Sequence, residues 1–196
     1  MILHDKSQPL YIEGYHRPNY LDPDDAVFDV LGDLLSKGRT SRLYRSLVRD
    51  KQVALGASGG SYPGNKYPNL FYFFAVPSHG HTAEDMAAPI HEEIERLKTQ
   101  DVSDDELQSI KTRAKADLIR GLGDNQGLAS QLGEYQAMYG DWRELFHQIE
   151  RIDKVSKADL RRVANNIFND DNRTVGLVET AKPKVTDAAQ PKGGQQ

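Results

Sequence analysis

An α+β fold is the class this sequence predicts, and three observations carry it. The candidate elements run strand, two helices, two strands, several helices, strand, so a sustained βαβ rhythm is missing. Leu70 to Val76 is an unbroken apolar run holding three phenylalanines and a tyrosine, the pattern of an interior strand. Val53, Leu55, Ala57 and Gly59 alternate just before it. The turn-forming Pro63-Gly64-Asn65 lies between the two, so they read as a long hairpin.

Each element follows from local chemistry. Residues 1–7 are expected to be frayed, and residues 8–16 to form a strand in which Leu10, Ile12 and Gly14 alternate with Tyr11, Glu13 and Tyr15. Asp22-Pro23-Asp24-Asp25 starts a helix, with a capping Asp, Pro at the first position and acids in the first turn. Val27, Val30, Leu31, Leu34 and Leu35 are its apolar stripe, and Gly38 ends it. Met86, Ile90, Ile94 and Leu97 predict a helix over 82–100, with Pro89 demanding a kink or a start near Ala88. Ser103 with Glu106 is a capping box, and Val102 with Leu107 a hydrophobic staple. The glycines at 121, 123 and 127 break the following helix. A second one resumes with Leu128, Leu132, Tyr135 and Tyr139 on one face. Asp141-Trp142 opens a short helix through Ile152, Ser156 caps the last, and Arg173 to Glu179 is a final strand. A single domain is expected over 8–180. The tail, 181–196, has no apolar period and is expected to be disordered.

Composition narrows the function. The 196 residues, 38% hydrophobic and 28% charged, suffice for one domain with a sizeable core. A net charge of −4 offers nothing to nucleic acid or anionic lipid. With no cysteine there are no disulfides or thiolate metal sites. No apolar run approaches the ~18 residues of a membrane span, and no leader sequence is visible at the N-terminus.

The chain is organised around Ser36 to Tyr62: a Gly-containing turn, an arginine-rich helix over Thr40 to Asp50, and a strand entering a glycine run. At α-helical spacing Arg42, Arg45 and Arg49 share a face, while Leu43 and Leu47 turn inward. A solvated charged face is the plain reading. The sharper one is a clamp for carbonyl or carboxylate oxygens, which the planar guanidinium suits.

Gly38-Arg39-Thr40-Ser41-Arg42-Leu43-Tyr44 through Leu47-Val48-Arg49-Asp50-Lys51 resembles the C-terminal half of the insulinase/pitrilysin-type zinc peptidases. These are the inverzincins, which include the mitochondrial processing peptidase. Gly14-Tyr15-His16-Arg17-Pro18 and Asp24-Asp25-Ala26 add to the likeness, which extends from about Leu10 to Thr180. It implies a LuxS/processing-peptidase-like metallohydrolase half: a mostly antiparallel sheet with helices packed on one face. In that family the N-terminal half carries the zinc motif H-x-x-E-H. The C-terminal half closes over the substrate and supplies an Arg and a Tyr near the scissile bond. The likeness puts Arg49 at the Arg position, with Arg45 one turn earlier as its helper. The Tyr position, seven residues later, is Gly56. Tyr62 lies on the same strand face but roughly 20 Å further on, at ~3.3 Å per residue.

The resemblance therefore implies a substrate-binding set of Arg49, Arg45 and Tyr62, with no catalytic residue and no metal ligand in this chain. Zinc is expected in a partner, either an N-terminal half or a homologous subunit, and a homodimer is another arrangement. The substrate would be a peptide, and the setting periplasmic, as for many bacterial relatives. A non-catalytic scaffold of the same fold, like the core proteins of respiratory complexes, is the alternative. An unrelated α+β binding module is a third reading.

Other constellations carry less. None of His4, His16, His79, His81, His91 and His147 begins an H-x-x-E-H. His91-Glu92-Glu93-Ile94-Glu95 ends in Glu95 and reads as the exposed face of an amphipathic helix. His79-Gly80-His81 reads as a turn. Gly56 to Gly60 lacks the Gly-Lys-Ser/Thr ending of a phosphate loop. Tyr62, Tyr67 and Tyr72 fit core packing better than a nucleic-acid stacking platform.

Overall fold

The computed structural model describes residues 1–64 and 66–181. Five strands form one sheet: β1 (Ile2–Asp5), β2 (Leu10–Arg17), β3 (Ala54–Tyr62), β4 (Asn69–Pro77) and β5 (Arg173–Thr180), in the order β1-β5-β2-β4-β3. All neighbours pair antiparallel except β1 and β5, which are parallel. The helices are α1 (Asp25–Ser36), a π-helix (Tyr44–Asp50), α2 (Ala87–Thr99), α3 (Asp104–Gly121), α4 (Asn125–Tyr139), α5 (Glu144–Lys154) and α6 (Lys157–Ile167). The α+β class is what the sequence predicts.

The core lies on one face of the sheet. Tyr11 and Tyr15 of β2 and Phe71, Phe73 and Ala75 of β4 are buried there. They pack with Leu31 and Leu35 of α1, Ile90 and Leu97 of α2, Leu160 and Val163 of α6, and Phe168. Phe168 meets Tyr15, Phe71 and Phe73 edge-on, with ring centroids 5.1–5.4 Å apart, a favoured aromatic geometry. The other face carries Ile12, Leu70, Tyr72, Phe74 and Val76, all partly or largely exposed.

The N-terminal expectation needs correcting. Residues 2–5 of the stretch expected to fray pair with Leu177 to Thr180 as strand β1. Their side chains are all exposed, so no hydrophobic pattern announces this strand; backbone hydrogen bonding makes it. Of the expected tail, all but Ala181 lies outside the described residues.

A second difference concerns Leu55. A bulge between Ala54 and Gly56 shifts the register. Ala54 and Ala57 then face the core side while Leu55 is 61% exposed, so Leu55 does not share a face with Ala57. Gly59, by contrast, is required by packing: a Cβ there would come within 2.8 Å of the Phe73 ring and of the Tyr72 carbonyl.

At α1 the helix begins at Asp25 rather than Pro23, and Asp24 makes no side-chain cap bond, though Asp22 Oδ1 accepts from the Asp24 amide at 2.9 Å; the two later caps differ in one point. Ser103 Oγ accepts from the Glu106 amide at 3.1 Å, but the Glu106 carboxylate does not return to Ser103. It is taken instead by Arg42, a charged donor that outcompetes a backbone amide. At α6 the box is complete, Ser156 and Asp159 bonding reciprocally.

Candidate functional site

The site is built on the turn after α1. Gly38 has φ +79°, a backbone conformation that glycine adopts without strain, and the Ser41 hydroxyl donates to its carbonyl at 2.8 Å. The chain then winds as a π-helix rather than an α-helix: the Lys51 amide bonds to the Ser46 carbonyl, five residues back, at 3.0 Å. Leu43 and Leu47, both fully buried, anchor the segment. Arg42 and Arg45 line one cavity, and Arg49 is not part of that lining.

The three arginines have different fates. Arg42 reaches across to α3 and holds Glu106 in a two-pronged pair, 3.0 and 2.8 Å, with its side chain only 11% exposed. It is a structural tie. Arg49 is exposed, and its guanidinium bonds to Asp50 at 2.6 and 3.1 Å, which holds the Asp50 carboxyl below its usual pKa. Arg45 is exposed and forms no ion pair among the described residues. It lines a cavity of about 310 Å³ together with Arg42, Glu93, Arg96 and Glu106.

Tyr62 stands at the far end of β3, 63% exposed, edge-on to Tyr72 with centroids 6.0 Å apart. The ladder runs unbroken from Gly56 opposite Val76 to Tyr62 opposite Leu70. Both residues therefore lie on the outer face, separated by the full reach of the strand. Nothing lies within 4 Å of where a Gly56 side chain would begin. The structure thus places Arg45 and Arg49 together at one end of β3 and Tyr62 at the other.

Sequence reasoning missed a buried polar cluster on β2. Glu13 is fully buried and accepts from the Tyr11 hydroxyl at 2.7 Å. His91 Nε2 lies 2.8 Å from the same carboxylate and 2.9 Å from Arg173 Nη1. His91 is thus a half-buried link between α2 and the sheet, not a residue of an exposed helix face. Burial pushes the hydroxyls of Tyr11 and Tyr15 upward in pKa, with the Glu13 charge adding to it. Beside the cluster, Arg17 is buried, bonded to Asp25 of α1 and Ser61 of β3, with its guanidinium 4.2 Å from the Phe28 ring centre. The signal was available: Glu13 and Arg17 share strand parity with the aromatic Tyr11 and Tyr15.

Asp29 of α1 lines a larger cavity, about 630 Å³, with Gly59, Gly60, Tyr135 and Gln148. It accepts from Gln148 at 2.6 Å. Burial, reinforced by the Asp25 charge, pushes its carboxyl up to about 6.

Among the described residues, no three or more His, Cys, Asp or Glu side chains gather where a metal ion could be held. His81 follows a turn through Gly80, φ +90°, and its Nδ1 lies 3.9 Å from Asp85. No described helix is long and apolar enough to cross a membrane.

Comparison with known proteins now bears on this geometry. The chain is 29% identical over 161 residues to the Helicobacter pylori "Zinc protease PqqE", covering 82% of this chain but 36% of that protein. It is 25% identical over 167 residues to an "Uncharacterized zinc protease" of Rickettsia bellii, covering 84% of this chain and 40% of that one. The chain therefore spans well under half the length of these curated relatives. In structure it resembles a protease from Helicobacter pylori (TM-score 0.85, 27% identity), covering 91% of this chain and 43% of the other. It also resembles the inactive peptidase domain of a protein described as a zinc protease from Bordetella parapertussis (TM-score 0.78, 26% identity), covering 95% and 98%. Residues 1–114 match the family described as "Peptidase M16 inactive domain", and the chain belongs to that family.

Proposed function

We propose that this chain is the zinc-free, substrate-gripping half of a metalloendopeptidase, without hydrolytic activity of its own. One observation carries the reading: a member of an inactive-domain family covers under half of relatives named zinc proteases. The zinc and the H-x-x-E-H motif then belong to the remaining part, an N-terminal half or a homologous subunit. The outer sheet face, with Phe74, Tyr72, Leu70 and Ile12 partly or largely exposed, offers an apolar surface for that partner to cover.

In the closed pair, Arg49 exchanges Asp50 for a peptide carbonyl near the scissile bond. Its guanidinium donates charge-assisted hydrogen bonds to an oxygen that gains negative charge during hydrolysis. Arg45 adds a second cation on the same helix. Tyr62 meets the extended peptide about six residues away, since strand and substrate advance by a similar ~3.3 Å per residue. The substrate class is peptides or unfolded segments, because an extended chain fits between two such halves.

A second reading has one observation in its favour. The phenol of the family pattern is replaced by Gly56, which faces open space, as a non-catalytic scaffold subunit would tolerate.

Reconstituting the chain with a zinc-bearing half and measuring cleavage of an unfolded peptide separates the two. The peptidase reading expects no cleavage by the chain alone and chelator-sensitive cleavage by the pair. In that pair Arg49→Met should lower kcat/KM by about tenfold or more. The exposed Arg49–Asp50 pair contributes little to folding, so the variant remains folded. Unchanged kinetics would remove Arg49 from the site, and an inactive wild-type pair would favour the scaffold.

A further inference from the structure

Helix α1 and its cap carry the carboxylates Asp24, Asp25, Asp29 and Asp33. Asp24 pairs with Arg162 at 2.6 Å, Asp25 with the Arg17 guanidinium, and Asp33 with Lys37 at 3.0 Å. Asp29 has no counter-charge among the described residues. Its Oδ2 accepts from Gln148 at 2.6 Å, and Arg151 holds the Gln148 oxygen at 2.9 and 2.8 Å, which fixes the amide nitrogen toward Asp29. The other oxygen, Oδ1, has no partner among the described residues and keeps accessible surface, so a ligand can touch it. The side chain lines the cavity of about 630 Å³ bounded by α1, β3, α3, α4 and α5. A carboxylate without a counter-charge is costly in such a place. Even with its carboxyl pushed up to about 6 by burial and the Asp25 charge, Asp29 is mostly ionised at neutral pH.

The walls select what could meet this charge. Asp29, Asp33 and Asp117 face a single ammonium, that of Lys37, which already lies between Asp33 and Asp117 at 3.0 and 2.7 Å. An anion is therefore repelled. A metal ion wants several oxygen ligands, and no group of three or more ligating side chains gathers among the described residues. A guanidinium fork is best matched by two free carboxylate oxygens, and Gln148 occupies one of them. A primary ammonium needs only the other, and it can turn its remaining donors to Tyr135 and Gln131 of α4. Ala114, Leu118 and Ile149 are partly exposed in the same lining, so the rest of the ligand is apolar. We propose that this cavity binds a primary amine with an apolar body, its ammonium on Asp29 Oδ1 and its body against Leu118, Ile149 and the Tyr135 ring. A volume of about 630 Å³ falls within the ~300–1,000 Å³ of ligand pockets, with room for an aromatic ring beyond the amine. Helix α4, none of whose residues is buried, forms one wall, so entry leaves the core intact. The inference goes beyond the peptidase reading and does not depend on it.

Calorimetric titration of the 196-residue chain with phenethylammonium at neutral pH tests it. Phenethyl alcohol and hydrocinnamate carry the same ring with no charge and with a negative one. Saturable binding of the amine is expected, with the alcohol and the acid each at least about tenfold weaker. Asp29→Asn keeps the side-chain shape and should weaken the amine by about tenfold or more, while the alcohol binds as it does to wild type. The proposal is overturned if the amine gives no saturable heat, if Asp29→Asn binds it as tightly as wild type, or if the alcohol or the acid matches it on the wild-type chain. That last comparison needs no variant, so it decides the matter should Asp29→Asn fail to fold. No partner and no cleavage enters this measurement, so its failure is distinct from failure of the peptidase reading.

Discussion

The two faces of the sheet invert the usual expectation. The covered face includes Glu13 and Arg17, both almost fully buried. The uncovered face presents Ile12, Leu70, Tyr72, Phe74 and Val76. Arg17 is matched by Asp25 and Ser61, and Glu13 Oε2 by Tyr11 and His91, while Glu13 Oε1 is buried without a partner among the described residues. Apolar area is tolerated outside only at a continuing cost in water, roughly 25 cal/mol per Å². The inner face therefore spends its polar groups on fixing register and helix position. In the proposed pairing, the outer face is the one the zinc-bearing half covers.

The largest effect should come from breaking the inner match. Arg17→Met leaves Asp25 buried without a counter-charge, and about 3–5 kcal/mol of stability should be lost in urea unfolding. Replacing both partners with apolar residues should recover much of that loss. A single variant close to wild-type stability would show that the inner charges do not organise this face.

A smaller effect concerns Asp29. Its folded-state pKa of about 6 is above the ordinary 3.8, so the native state holds the proton more tightly than the unfolded chain does. The associated stability is complete below about pH 4 and disappears as pH rises through about 6. The difference is up to about 3 kcal/mol for a two-unit shift. Asp29→Asn keeps an acceptor for Gln148 and should remove this part of the slope in unfolding measured from pH 4 to 7.5. An identical slope in the variant would place the titration elsewhere.

The smallest effect on the chain alone belongs to the outer face. Phe74→Ser should change stability by about 1 kcal/mol or less, yet weaken association with the zinc-bearing half by about tenfold or more. Equal affinity for wild type and variant would mean that the partner docks elsewhere.

What could be read from sequence follows the same division. Apolar periodicity located α1, α2 and the β3–β4 hairpin, because burial of a stripe is a local pattern. The caps at Ser103 and Ser156 were equally visible. β1 was not, since its four residues are exposed and its pairing partner lies some 175 positions away (Ile2 opposite Leu177). The π-winding was invisible for a different reason: the same residues fit an α-helix, and only the i→i−5 hydrogen bond distinguishes the two. Arg42 and Arg45 line one cavity without Arg49, so the arginines were found but their arrangement was not. His91 was read from its own helix alone, while its partners Glu13 and Arg173 come from two strands.

The position of β5 has a consequence for synthesis. It sits between β1 and β2, so these two strands must wait for one made more than 150 residues later. Until Arg173 to Thr180 emerges, one side of β2 has no ladder to join, and β1 has nothing to hold it. Such long-range closure slows folding, and unpaired strand edges invite wrong associations. A ribosome-bound chain that has not yet made β5 would be the form in need of a chaperone.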